Sequence, residues 1–203
     1  MQIPSRFLEK AAEQISTLPG IGKRTALKLA LHIHRKNDES FHAMIESLVA
    51  LKMNSFSCSQ CGNIADDPTC SICGNPSRDQ GILCVVEDIR DIMAIEATSS
   101  YKGLYHVLGG IISPMDGIGP SDLSIDLLQQ RAMNAEIREV IFALSPTLEG
   151  DTTNFFIYKK INREGLLLTT LSRGVAIGSE LQYADEITLS KSLQQRQEFK
   201  LSS

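Results

Sequence analysis

Through the second half of the chain, short apolar runs alternate with helix-period stretches, in the order ILCVVE, DIRDIMAIEATSS, YHVLGG, DLSIDLLQQRAMN, EVIFALS, DTTNFFIYKKI and LLLTT. The short runs read as buried strands and the stretches between them as helices. Strand and helix alternating at this spacing predict a mainly parallel sheet with crossover helices. Residues 1–57 read instead as helices, broken by LPGIG at residues 18–22. Between the two lies CSQCGNIADDPTCSICG, turn chemistry with almost no apolar content of its own. Beyond Arg173 the tail GVAIGSELQYADEITLSKSLQQR predicts an arm or a final helix. The pattern as a whole predicts a multi-module α+β protein.

The break at LPGIG has its own logic. Pro19 and Gly20 end the first helix, and Gly20 and Gly22 let backbone N–H groups come close to an outside group. A helix N-terminus with exposed N–H groups binds phosphate. Along the helix that follows, Ala26, Leu29, Ala30 and Ile33 share one face, while Arg24, Lys28, His32 and Arg35 share the opposite one. This is the helix-hairpin-helix pattern of sequence-independent DNA binding, with Lys23, Arg24 and Lys28 as backbone contacts. A plain helical hairpin with a solvated charged face is the alternative.

Charge supports that placement. The chain carries a formal net charge of −4, yet residues 1–57 sum to +3 and the remainder to −7, so a phosphate-binding surface belongs near the N-terminus. At 203 residues and 42% apolar content, the chain can build a real core. The N-terminus lacks the apolar region of a signal peptide, and no window has the length and apolarity of a membrane span. A cytoplasmic location is expected, where paired cysteines bind metal or do redox chemistry more often than they form disulfides.

Four of the five cysteines form two Cys-x-x-Cys pairs, Cys58/Cys61 and Cys70/Cys73, separated by eight residues. A thioredoxin-like site needs one such pair at the start of a helix, whereas two knuckles in a turn-rich loop can present four thiolates to one Zn²⁺. Asp66, Asp67 and Pro68 supply the reversal between them. A closed shell of four cysteines leaves no position for water or substrate, so one structural zinc per chain is expected. Cys84 reads as an inert core residue, and His32, His34, His42 and His106 as surface or packing residues without metal-ligand spacing.

Glu87 ends the run ILCVVE, and Glu149 and Asp151 follow EVIFALS. Both sets fall near C-terminal ends of predicted parallel strands, where ligands of open α/β sheets bind. Three carboxylates gathered there could hold Mg²⁺. Solvated acids, or Asp151 capping the next helix, are the alternative.

Taken in order, LPGIGKRTALKLA, CSQCGNIADDPTCSIC, CVVEDIRDIMAIEAT, YHVLGGIISPMDGIGPSDL, PTLEGD and GVAIGSELQYADEITLSKSL resemble the RecR family of bacterial recombination proteins along nearly the full chain. The resemblance implies a helix-hairpin-helix region at 1–57, a four-cysteine zinc finger at 58–73, a Toprim domain at 81–176 and a C-terminal arm at 177–203. It implies a non-enzymatic DNA-repair mediator that works with RecO and RecF in RecBC-independent recombination. Such a factor loads RecA at gapped or single-stranded DNA and assembles as a dimer or ring tetramer. The Toprim acids carry over to Glu87, Glu149 and Asp151, as metal or partner contacts. The rival function is a Mg²⁺-dependent Toprim enzyme, a nuclease or primase-like catalyst, and a pure protein adaptor is a third. The chain departs from the family at Ser145, Ala176 and Ser179. There the family commonly has an Asn before Pro-Thr, and the Pro and second Gly of Gly-x-Pro-x-Gly-Gly.

Overall fold

A computed structural model describes residues 3–196 and Glu198; residue 197 and residues 199–203 of the expected arm lie outside the described residues. The chain forms two compact units, residues 1–55 and 56–203.

In the first unit, α1 (Arg6–Ser16) is capped by Ser5, whose side chain accepts from the Leu8 amide. Gly20, at φ +78°, takes the left-handed turn that admits glycine without strain, and α2 (Lys23–His34) starts three residues after it, past Gly22. The two helices pack through small residues, with Ala12, Ala26 and Ala30 buried. The apolar face expected for α2 is only partly covered: its alanines are buried, Ile33 is half-buried and Leu29 is exposed. Small contact residues draw two helices together but leave longer side chains beyond the contact. Asn37 caps α3 (Asp38–Asn54), and no residue of α3 is buried. Ile45, Leu48, Val49, Leu51 and Met53 all stand exposed on it.

The second unit opens with a minimal hairpin, β1 (Phe56–Ser57) antiparallel to β2 (Ile64–Ala65), which carries the cysteine segment. The sheet follows: β3 (Asp79–Val86), α4 (Ile89–Ala97), β4 (Gly103–Val107), α5 (Ile125–Ala132), β5 (Glu139–Phe142), α6 (Leu148–Ile161) and β6 (Leu167–Thr170), then α7 (Glu186–Gln194) in the tail. The four long strands are parallel in the order β4-β3-β5-β6. The alternation of β3 explains why its run is apolar throughout. Leu83 and Val85 face the large core with Leu128, Val140, Ile157 and Ile161, while Cys84 and Val86 face a smaller one with Ile92 and Tyr105. Burial pushes the Cys84 thiol up to about 12, which keeps it an inert packing group. Among the described residues no helix is long and apolar enough to cross a membrane.

Thr147, not Asp151, caps α6, its side chain accepting from the Gly150 amide. Gly150 presses so close to the strand end that a Cβ there would lie 2.0 Å from the Ser145 carbonyl oxygen. The helix can start only where that glycine stands.

His106 is fully buried on β4. Its Nδ1 faces Arg131 Nη1 at 3.2 Å and its Nε2 faces the Ser124 carbonyl at 3.0 Å. A guanidinium only donates, so Nδ1 accepts and the proton of the neutral ring sits on Nε2. Burial, and then the Arg131 charge, pull the His106 pKa from 6.5 down to about 4. The contribution of the neutral ring is therefore full above pH 6.5 and is lost as pH falls from 6.5 to about 4, a change on the order of 3 kcal/mol. In His106→Asn, which keeps an acceptor and a donor but does not titrate, denaturant-unfolding stability should fall less steeply than in wild type across that window. Equal slopes would show that His106 does not carry the acid sensitivity.

Candidate metal centre and nucleic-acid interface

The two knuckles are built alike. The Gly62 amide donates to the Cys58 carbonyl and the Gly74 amide to the Cys70 carbonyl, each at 2.9 Å. Ser59 N–H reaches the Pro68 carbonyl at 2.9 Å and closes the loop that Asp66, Asp67 and Pro68 reverse. The ligand atoms of Cys58, Cys61, Cys70 and Cys73 come within 4.8 Å of one another, all four residues buried. All are free thiols, and Cys61 and Cys70 hold their sulfurs 3.6 Å apart. That is far beyond the ~2.05 Å of a disulfide. It is close to the ~3.8 Å edge of a tetrahedron whose corners lie about 2.3 Å from a central Zn²⁺.

Backbone amides point at the sulfurs: Cys70 N–H at Cys58 Sγ (3.3 Å), Cys73 N–H at Cys70 Sγ (3.4 Å) and Asn63 N–H at Cys61 Sγ (3.5 Å). Burial raises the Cys58 thiol, but the amides of Cys70, Gln60 and Cys61 outweigh it and bring the group to about 6. Cys61 is pushed up by its hydrogen bond with Cys73 and by burial, and Cys70 is pushed up by burial. A divalent cation at the centre would ionise the whole set. The donors are all sulfur, closed and buried, so the residues present fit Zn²⁺ in a structural role.

In the N-terminal unit, Lys23, Arg24 and Lys28 are exposed on α2, and none of them makes a salt bridge among the described residues. Gly22 is the N-cap of α2 and offers no side-chain cap, so the first-turn N–H groups have no side-chain acceptor. Gly22 has an ordinary φ of −78°, and an added Cβ at Gly20 or Gly22 would meet nothing within 4 Å.

The three carboxylates are treated differently by the fold. Glu87, just past β3, accepts the Ser145 amide. Asp151 lies in the first turn of α6 and is gripped by both terminal nitrogens of Arg173, one at 2.9 Å. The Arg173 guanidinium holds the Asp151 carboxyl below the usual carboxylate range. Glu149 is exposed. Among the described residues these acids do not bring their oxygens within 4.8 Å of one another as a group.

Two residues with clear roles here carried no local signal. Arg173 lies 22 positions from the carboxylate it holds, in a stretch that reads only as tail. Arg131 lies beside Leu128 and Ala132, two buried residues of α5. An arginine at the margin of a buried helix face is too ordinary a pattern to mark it.

Family models match the chain in four consecutive blocks: a RecR helix-hairpin-helix at 8–52, a RecR four-cysteine zinc finger domain at 56–75, a Toprim domain at 81–172 and a RecR C-terminal region at 174–197. The recombination protein RecR of Porphyromonas gingivalis is 55% identical over 196 residues, covering 97% of this chain and 95% of that protein. That of Bacteroides thetaiotaomicron is 54% identical, covering 96% and 95%, and that of Flavobacterium johnsoniae 49% identical, covering 98% and 97%.

Metal analysis of purified protein should return one zinc per chain. Stripping it with a chelator should abolish protease resistance around residues 56–75, since on the order of 10 kcal/mol of metal binding stands in for a core there. Metal-free protein with that segment still protected would contradict the structural role.

Proposed function

The chain belongs to the RecR family of recombination proteins, and from that premise we propose that it is a DNA-binding mediator of repair that grips the phosphate backbone without reading sequence. The observation that carries this reading is the open start of α2. No packing or backbone strain within its unit asks for glycine at Gly22, so the missing Cβ serves close approach by something outside. Beside it stand uncapped N–H groups and the unpaired cations Lys23, Arg24 and Lys28. Gly20 supplies the turn.

Family likeness supports placing this activity with RecO and RecF, in the loading of RecA at gapped or single-stranded DNA. The uncovered apolar face of α3 supports self-association into a dimer or ring tetramer. Such an assembly would gather several basic hairpins and let a chain of net charge −4 hold a polyanion. Free, closely set thiols suit the reducing cytoplasm. The Toprim match favours a second reading, Mg²⁺-dependent cleavage or synthesis at Glu87, Glu149 and Asp151. Against it, Asp151 is already neutralised by Arg173 and Glu87 is engaged with the Ser145 amide. A non-catalytic use of this surface, as a partner contact, fits the geometry better.

Lys23→Ala should weaken binding to every DNA sequence alike and reduce the slope of log affinity against log salt by about 1. Lys28→Ala should do the same. A slope unchanged in both variants would move the phosphate contacts away from α2.

A further inference from the structure

Arg131 ends α5 with its guanidinium turned to β4, where Nη1 donates to the Tyr105 carbonyl at 2.7 Å and to His106 Nδ1 at 3.2 Å. Both partners are uncharged. Arg78, Arg90, Arg138 and Arg173 each pair with a carboxylate, but among the described residues Arg131 has none. Arg131 is half-buried; burial works against its charge, and a cation withdrawn from water without a counter-charge is unfavourable.

The cysteine loop meets the same edge of β4: the Val107 amide donates to the Cys61 carbonyl at 2.8 Å, two residues along the strand from the Tyr105 carbonyl that Arg131 holds. Negative charge on Cys73, Cys61, Cys58 or Cys70 would favour the Arg131 cation there. Ile72, inside the second knuckle, also packs against both cores of the sheet domain. Four thiolates around one Zn²⁺ leave a formal charge of about −2, buried where water cannot screen it. A single guanidinium halves that excess.

We propose that Arg131 is the counter-cation of the zinc–tetrathiolate centre, so that retention of the metal and seating of α5 against β4 are one linked equilibrium. The linkage is reciprocal. Without metal the sulfurs revert toward neutral thiols and Arg131 loses its partner. Without Arg131 the thiolate cluster keeps its full excess charge and holds zinc less well. This rests on zinc being the bound metal, which the metal content of wild-type protein decides separately.

The test compares full-length wild type, Arg131→Gln and Arg131→Lys, each assayed first for zinc content. Zinc release to a chromogenic chelator is then followed, and thermal unfolding is measured for zinc-loaded and zinc-stripped protein. Arg131→Gln should release zinc about tenfold faster than wild type, as expected for loss of one close charge. It should also lower the melting temperature more in the loaded than in the stripped form. Arg131→Lys, which keeps the charge but not the planar fork, should stay within about threefold of wild type. Release from Arg131→Gln at the wild-type rate would overturn the proposal. So would equal acceleration in both variants, because hydrogen bonds to β4 would then be the operative feature. If Arg131→Gln does not fold, Arg131→Lys decides alone: release within about threefold sustains the proposal and tenfold faster release overturns it. Wild-type protein without zinc would remove the metal itself, a different failure from either.

Discussion

Between Cys58 and Cys73 the chain has only Ile64, Ala65 and Ile72 as apolar side chains besides its cysteines and Pro68, and so it cannot fold by burying carbon. Four sulfurs drawn together around a cation take the place of a core there. The rest of the second unit is arranged around that solution. Cys61 is tied by its carbonyl to β4, Ile72 leans on both sheet cores, and Arg131 at the end of α5 donates to the Tyr105 carbonyl on the same edge of β4. A closed site of this kind has no vacant position for substrate, so its consequences are mechanical and electrostatic. It fixes where the cysteine loop meets the edge of the sheet.

Much of this was legible in the sequence, for reasons that differ from element to element. The strand runs could be read because a parallel strand buried on both faces must be apolar throughout, as Leu83 to Val86 are. The knuckles could be read because metal ligation imposes a local spacing that nothing else in a turn-rich loop requires. The hairpin could be read because glycine, proline and opposed basic and apolar positions lie within a few residues of one another. What could not be read is what the fold brings together from afar. Asp151 meets Arg173, Glu87 meets Ser145, and His106 is locked between Arg131 and Ser124. Each is a pair or network set by tertiary placement, with no periodicity to announce it. Leu29 illustrates the opposite error. Helical spacing put it on an inward face, but the alanine contact of α1 with α2 is too narrow to cover it.

These placements assign separate work to the three chemistries in the chain. The unpaired cations and uncapped amides of α2 suit a backbone polyanion. The cysteines suit a closed structural metal. The Toprim carboxylates, one gripped by arginine, one holding an amide and one exposed to solvent, suit recognition by another macromolecule better than the positioning of catalytic metal. A zinc finger that follows a DNA-binding hairpin in the sequence invites the idea that the finger reads DNA. Under the proposed function the DNA belongs to the hairpin, and the finger organises the sheet domain.

Hydrogen exchange on the full, zinc-loaded protein with and without DNA tests that division most directly, since it reports every segment in one experiment. The account predicts that DNA slows exchange across residues 20–28 and leaves residues 58–73 and 145–151 unchanged. Protection over 58–73 or 145–151, with none over 20–28, would contradict it.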